Sequence, residues 1–219
     1  MRIIMLGQEA SKKSEVTNGI KIQVLVMIIL AVTVFLPIFN LNASTTFNNQ
    51  PINHLIDALV EINKPKSLKI AEELKLRRNN VGSYNLIIRR ASLNSLDAKK
   101  ISKAIEKIKQ SNGPFLDTIS MSFNKDLGDN GLDFIIKALP KSTSTIAFVD
   151  CGLTDVSGKK IIDWAYTHED IKEIYLEGNL FSKNIINEFM KLKYDKPEIS
   201  MIVEWPSEGF KKMVIQNYK

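Results

Sequence analysis

Histidine, cysteine and clustered carboxylates are the side chains that bind metals or carry nucleophilic and acid–base catalysis. This chain spaces them too far apart for either. His54 and His168 are its only histidines, and neither lies within metal-ligand spacing of the other or of Cys151, the one cysteine. The run Asp126-Leu127-Gly128-Asp129-Asn130-Gly131 looks like a calcium loop, yet Gly128 falls on a ligand position and Lys137 stands where the bidentate glutamate is required. No Gly-rich phosphate loop or nucleophile elbow occurs in the sequence. The sequence therefore offers no catalytic residue, cofactor site, metal site or small-molecule substrate site. Because catalytic triads assemble in space, a hydrolase with an unrecognised site stays open as an alternative.

A single cysteine allows no internal disulfide, so cysteine usage says nothing of redox compartment. With 30 Lys and Arg against 24 Asp and Glu, the formal charge is +6. That excess is spread along the chain, and the densest clusters, Lys66 to Arg78 and Lys99 to Lys109, carry Glu72, Glu73 and Glu106 at helical spacing. Such clusters are solvated helix faces, and nucleic acid is not an expected partner.

Stepping along the chain from its start, Val24 to Phe39 reads VLVMIILAVTVFLPIF, without a charge and with Thr33 as its polar interruption. Its length falls between a secretory apolar region of about 7–15 residues and the roughly twenty needed to span a bilayer. Lys12, Lys13 and Lys21 precede it and no charge follows until Asp57, which keeps the amino end cytoplasmic and sends the rest across the membrane. Residues 1–43 are read as a signal peptide or a membrane anchor, the latter contacting the membrane through residues 22–39. The remainder is expected to be secreted or membrane-anchored on the non-cytoplasmic side.

Between Pro51 and Arg78 the spacing predicts two helices, parted by Pro65. Ile52, Leu55, Ile56, Leu59 and Ile62 form one apolar stripe, and Leu68, Ile70, Ala71, Leu74 and Leu76 the other. Residues 44–80 are read as a helical amino-terminal cap.

A phrase then recurs: Leu116-x-x-Ile119-x-Met121-x-x-Asn124, Thr143-x-x-Ile146-x-Phe148-x-x-Cys151, and Ile171-x-x-Ile174-x-Leu176-x-x-Asn179. The markers Asn124, Cys151 and Asn179 fall 27 and 28 residues apart. A looser copy precedes them, with Leu86 and Ile88 in the strand and Ala91 in the Asn slot. It stands 33 residues before Asn124, an insertion assigned to the Ser111-Asn112-Gly113-Pro114 turn. Helical stretches follow on shared offsets, with Ile135 and Ile136, Ile161 and Ile162, and Phe189 and Met190 as core positions. A closing strand is read over Glu198 to Glu204, ended by Pro206 and Gly209. Cys151 is expected to point inward as a structural thiol, and Asn124 and Asn179 to satisfy turn backbone groups.

From about Tyr84 to Pro206 the chain resembles the ribonuclease-inhibitor-like subclass of leucine-rich-repeat proteins. Leu116-Asp117-Thr118-Ile119-Ser120-Met121-Ser122-Phe123-Asn124 and Ile174-Tyr175-Leu176-Glu177-Gly178-Asn179 carry the resemblance most strongly. It implies an α/β fold, a right-handed solenoid of short parallel strands on a concave face and helices on a convex one, over residues 81–219. It also implies protein binding through the concave face, and no reaction.

Strand residues alternate in direction, so those between the inward positions face the expected binding surface. They are Ile87 and Arg89, Ser120 and Ser122, Ala147 and Val149, then Lys172, Glu173, Tyr175 and Glu177, with Arg90, Phe123 and Asp150 at the strand exits. The face runs from basic to acidic across small residues, and Tyr175 is the expected anchor for an unidentified protein partner. A structural or self-associating repeat protein is the alternative.

Overall fold

In the computed structural model, residues 50–78 and 82–217 are described. The chain divides into units Met1–Asn49 and Gln50–Lys219, and the described residues belong to the second. The apolar segment at 24–39 lies outside them. No helix of the described residues is long and apolar enough to cross a membrane.

Two helices open the unit. α1 (Asn53–Ile62) buries the whole expected stripe from Ile52 to Ile62, and ends where Asn63 turns left-handed at φ 54°. α2 (Pro65–Arg77) starts on Pro65, whose missing N–H costs nothing in a first turn. Its stripe is narrower than expected: Ala71 and Leu74 are buried, while Leu76 is 88% exposed. Leu76 lies two residues past Leu74, about 200° around the helix, and turns away from the core.

Thereafter strand and helix alternate: β1 (Ser83–Ile87), α3 (Ser95–Gln110), β2 (Phe115–Ser120), α4 (Gly128–Ala138), β3 (Thr145–Ala147), α5 (Asp155–Thr167), β4 (Glu173–Tyr175), α6 (Lys183–Asp195), β5 (Ser200–Ile202) and α7 (Glu208–Asn217). The five strands form one parallel sheet in sequential order. Its register aligns Leu86, Ile119, Ile146, Ile174 and Met201 in one inward row. That row joins residues from α1 to α6 in one hydrophobic core reaching from Ile52 to Met201.

Helix starts follow the repeat. Asn94, Thr154 and Ser182, each three residues past its slot residue, cap α3, α5 and α6 with a side-chain oxygen. The equivalent Leu127 cannot, and α4 begins instead on Gly128 at φ 57°.

Three expectations need correction. The insertion before Asn124 is not in the Gly113-Pro114 turn. It consists of a longer α3, 16 residues against 11 in α4, and one extra residue where the register shifts between Tyr84 and Asn85. The extra residue, Asp117, is held by Ser144, whose Oγ donates to its carboxylate at 2.5 Å. Met190 is 59% exposed, because the α6 core needs Ile185, Phe189 and Leu192 and no fourth side chain. The closing strand is shorter than expected, Ser200–Ile202, and past Pro206 a further helix, α7, has Gly209 in its first turn.

Candidate protein-binding face

The interior fixes which way every strand side chain points. Each slot asparagine makes four hydrogen bonds, three of which reach back one repeat. Asn124 Oδ1 accepts from Ala91 N–H at 2.9 Å and Leu93 N–H at 3.0 Å, while its Nδ2 donates to the carbonyls of Ile88 (3.0 Å) and Met121 (2.7 Å). Asn179 repeats the set on Cys151, Leu153, Phe148 and Leu176. Cys151 between them is buried, its Sγ 3.2 Å from the Met121 carbonyl. Burial pushes its thiol up to about 12, against the hydrogen bonds from neighbouring backbone, so it stays protonated and inert.

A second ladder ties the helix starts. Asp129 accepts from Thr154 N–H (2.9 Å), Thr154 Oγ1 (2.6 Å) and Ser157 Oγ (2.5 Å), and Asp155 from Ser182 N–H (2.7 Å). The backbone just before each slot is left-handed: φ is 51° at Arg90, 64° at Phe123, 50° at Asp150 and 79° at Gly178. These exits redirect the chain toward the next helix.

With these core positions locked inward, the alternate ones face the side of the sheet that contributes nothing to the core. By register Ile87, Ser120, Ala147, Tyr175 and Ile202 form one row there. Arg89, Ser122, Val149, Glu177 and Glu204 continue the alternation two residues on. Ala147 and Val149 are buried yet belong to no part of the core, as this placement requires.

The residues singled out from sequence differ in what they offer. Ser120 and Ser122, at 1% exposure each, and Val149 at 9%, lie on the expected side but present little surface. Their side chains are short and already engaged: Arg89 Nε donates to Ser120 Oγ at 2.8 Å, and Ser122 Oγ accepts from Val149 N–H at 3.2 Å. They form a floor, not a set of contacts. Arg89, Phe123, Asp150, Glu173 and Tyr175 are half-buried, and Lys172 is exposed just before β4. Arg90 stacks on Phe123, its guanidinium carbon 4.2 Å from the ring centroid. Asp150 pairs with Lys125 at 3.6 Å.

On the acidic side, Glu173 accepts from Thr145 Oγ1 at 3.2 Å. Tyr175 is held protonated by partial burial and the carboxylates of Glu173 and Glu177, all raising its phenol above the ordinary value. Glu177 is 5% exposed, and burial raises its carboxyl in spite of hydrogen bonds from its own and the Leu176 backbone. Its Oε2 has no hydrogen-bond partner, and the same holds for Arg90 Nε and Nη2 across the sheet.

Residues of the last strand went unmarked in the sequence, although the alternation there is equally plain. Ile202 and Glu204 extend the face, and the Trp205 indole lies against Gly178, 3.1 Å from where a β-carbon would stand. Trp205 also borders a cavity of 610 Å³ with Lys125, Asp150, Phe181 and Lys211. Among the described residues no group of His, Cys, Asp and Glu could hold a metal ion.

Set against models of known protein families and against curated proteins, the chain matches none.

Proposed function

We propose that residues 81–219 are a leucine-rich-repeat solenoid of the ribonuclease-inhibitor-like kind, capped by α1 and α2, whose helix-free concave face binds another protein. The observation that carries this reading is the two-sidedness of the sheet. All core residues of α1 to α6 lie with one set of strand side chains. The other set has short residues in the centre flanked by arginines and by a tyrosine among glutamates. Recognition surfaces concentrate such aromatic and charged anchors around a packed centre.

A binding module, not an enzyme, is the reading that fits this surface. His168 supports the core edge by stacking on Trp164 with centroids 4.0 Å apart, and Cys151 is a buried structural thiol. The charge-free run at 24–39, behind three lysines, supports export or membrane tethering.

The test is site-specific photocrosslinking in the source cells. A benzophenone side chain at Tyr175 is expected to trap a protein partner, and one at Tyr194, 86% exposed on α6, is not. Crosslinks from 194 alone would reject the concave face. Sequencing the amino terminus of the mature protein distinguishes cleavage from anchoring.

A further inference from the structure

Glu177 and Arg90 are groups that folding leaves incomplete. Glu177 projects from β4 on the helix-free side, since Ile174 and Leu176 on either side of Tyr175 are core residues. It is 95% covered, and Oε2 accepts no hydrogen bond. Among the described residues no Lys or Arg forms an ion pair with Glu173, Glu177 or Glu204: Lys125 is engaged with Asp150 and Lys211 with Glu208. Three carboxylates therefore share one side of the face, none of them in an ion pair among the described residues.

At the other side the guanidinium of Arg90 is fixed over Phe123, and its Nε and Nη2 are buried without acceptors. These groups do not satisfy each other. β1 and β4 are separated by β2 and β3, which puts their backbones about 14 Å apart at ordinary strand spacing. Between them the floor is Ser120, Ser122, Ala147 and Val149, all short side chains, with Arg89 lying over Ser120. A buried carboxylate oxygen lacking a donor and buried guanidinium nitrogens lacking acceptors are complementary to a ligand carrying both charges.

We infer that the partner presents a protein segment with an arginine or lysine that enters at Glu177 beside Tyr175, and an aspartate or glutamate that enters at the Arg90–Phe123 stack. In extended form a segment covers the separation in about four residues, so a basic and an acidic side chain that far apart can engage both ends. This inference rests on the proposed protein-binding reading and names the chemistry of its partner.

The immobilised full chain is used to select displayed random dodecapeptides, and the enriched peptides are synthesised and titrated against wild type, Glu177→Gln, Arg90→Gln and Tyr175→Ala. Enriched peptides are expected to combine a basic with an acidic residue. Replacing the basic residue by alanine should weaken binding to wild type by about tenfold, as for loss of a charge-assisted contact, and leave binding to Glu177→Gln unchanged. The acidic residue should behave likewise with Arg90→Gln, and retention of this second coupling in Glu177→Gln shows that variant to be folded. Peptides weakened by Tyr175→Ala but indifferent to their own charges would overturn the inference and leave the binding face standing. No enrichment, or peptides insensitive to all three substitutions, would overturn both.

Discussion

Asn124→Ala tests the repeat architecture at its most constrained point. The side chain is 1% exposed and makes four hydrogen bonds of 2.7 to 3.0 Å, three of them to the preceding repeat. Alanine would strand the N–H groups of Ala91 and Leu93 and remove one donor each from the Ile88 and Met121 carbonyls. The carbonyls suffer less, since Met121 also receives the Cys151 thiol. Counting about 1 kcal/mol for each N–H left in the interior and somewhat under that for each carbonyl, the loss is about 3 kcal/mol. For a unit of this size that lowers Tm by about 6–12 °C. The assay is thermal unfolding followed by circular dichroism, with urea titration at fixed temperature to confirm that the slope is unchanged. Asn179→Ala should behave alike, and the exposed Asn130→Ala should stay within about 0.5 kcal/mol of wild type. Tm values for Asn124→Ala and wild type that coincide would refute the reasoning, because buried donors cannot lose all partners at no cost.

Cys151→Asn completes the ladder and is expected to raise stability by about 1 kcal/mol, while wild-type Cys151 resists thiol reagents until the protein unfolds. Gly152→Ala should be destabilising by about 1–2 kcal/mol or more, since φ is 68° and the new β-carbon would stand 2.5 Å from the Lys125 carbonyl oxygen. Gly128→Ala, left-handed but with open space around it, should cost less than Gly152→Ala in the same denaturation assay. Two carboxylates should give pH dependences of opposite sign. Asp129, lowered by the Ser157 and Thr154 hydrogen bonds although burial acts against them, stabilises above the ordinary carboxylate range and loses that contribution as pH falls through its own lowered value. Asp129→Ala is therefore expected to be most harmful near neutrality, with the Tm gap narrowing in strong acid. Glu177, raised mainly by burial, costs stability as pH climbs from the ordinary range through its raised value, so Glu177→Gln should raise Tm near neutrality and not at pH below the ordinary carboxylate range.

The repeat was legible in the sequence because its inward positions tolerate little choice. Leu86, Ile119, Ile146 and Ile174 share one row, and Asn124 and Asn179 are held by four bonds apiece, so both residue type and spacing are constrained. Polar capping by Asn94, Thr154 and Ser182 adds a third periodic signal. What stayed hidden depends on geometry that spacing does not encode. An insertion can be absorbed equally by a turn or by a longer helix, and α3 chose the helix. Leu76 and Met190 are apolar but stay exposed, Leu76 because it turns away from the core. On the helix-free side of the sheet, alternation gave the direction of Ser120, Ser122 and Glu177. It could not show that Arg89 covers the serine or that one carboxylate oxygen of Glu177 lacks a donor, since both depend on how long side chains lie across neighbouring strands.

The slot amides point backward along the chain, and this imposes an order of completion. The N–H groups of Ala91 and Leu93 are satisfied by Asn124, and those of Cys151 and Leu153 by Asn179. During synthesis these two turns must each wait for the following repeat before their N–H groups are sealed. A translation pause between Cys151 and Asn179 would therefore leave the turn at Cys151 to Leu153 open at the growing end.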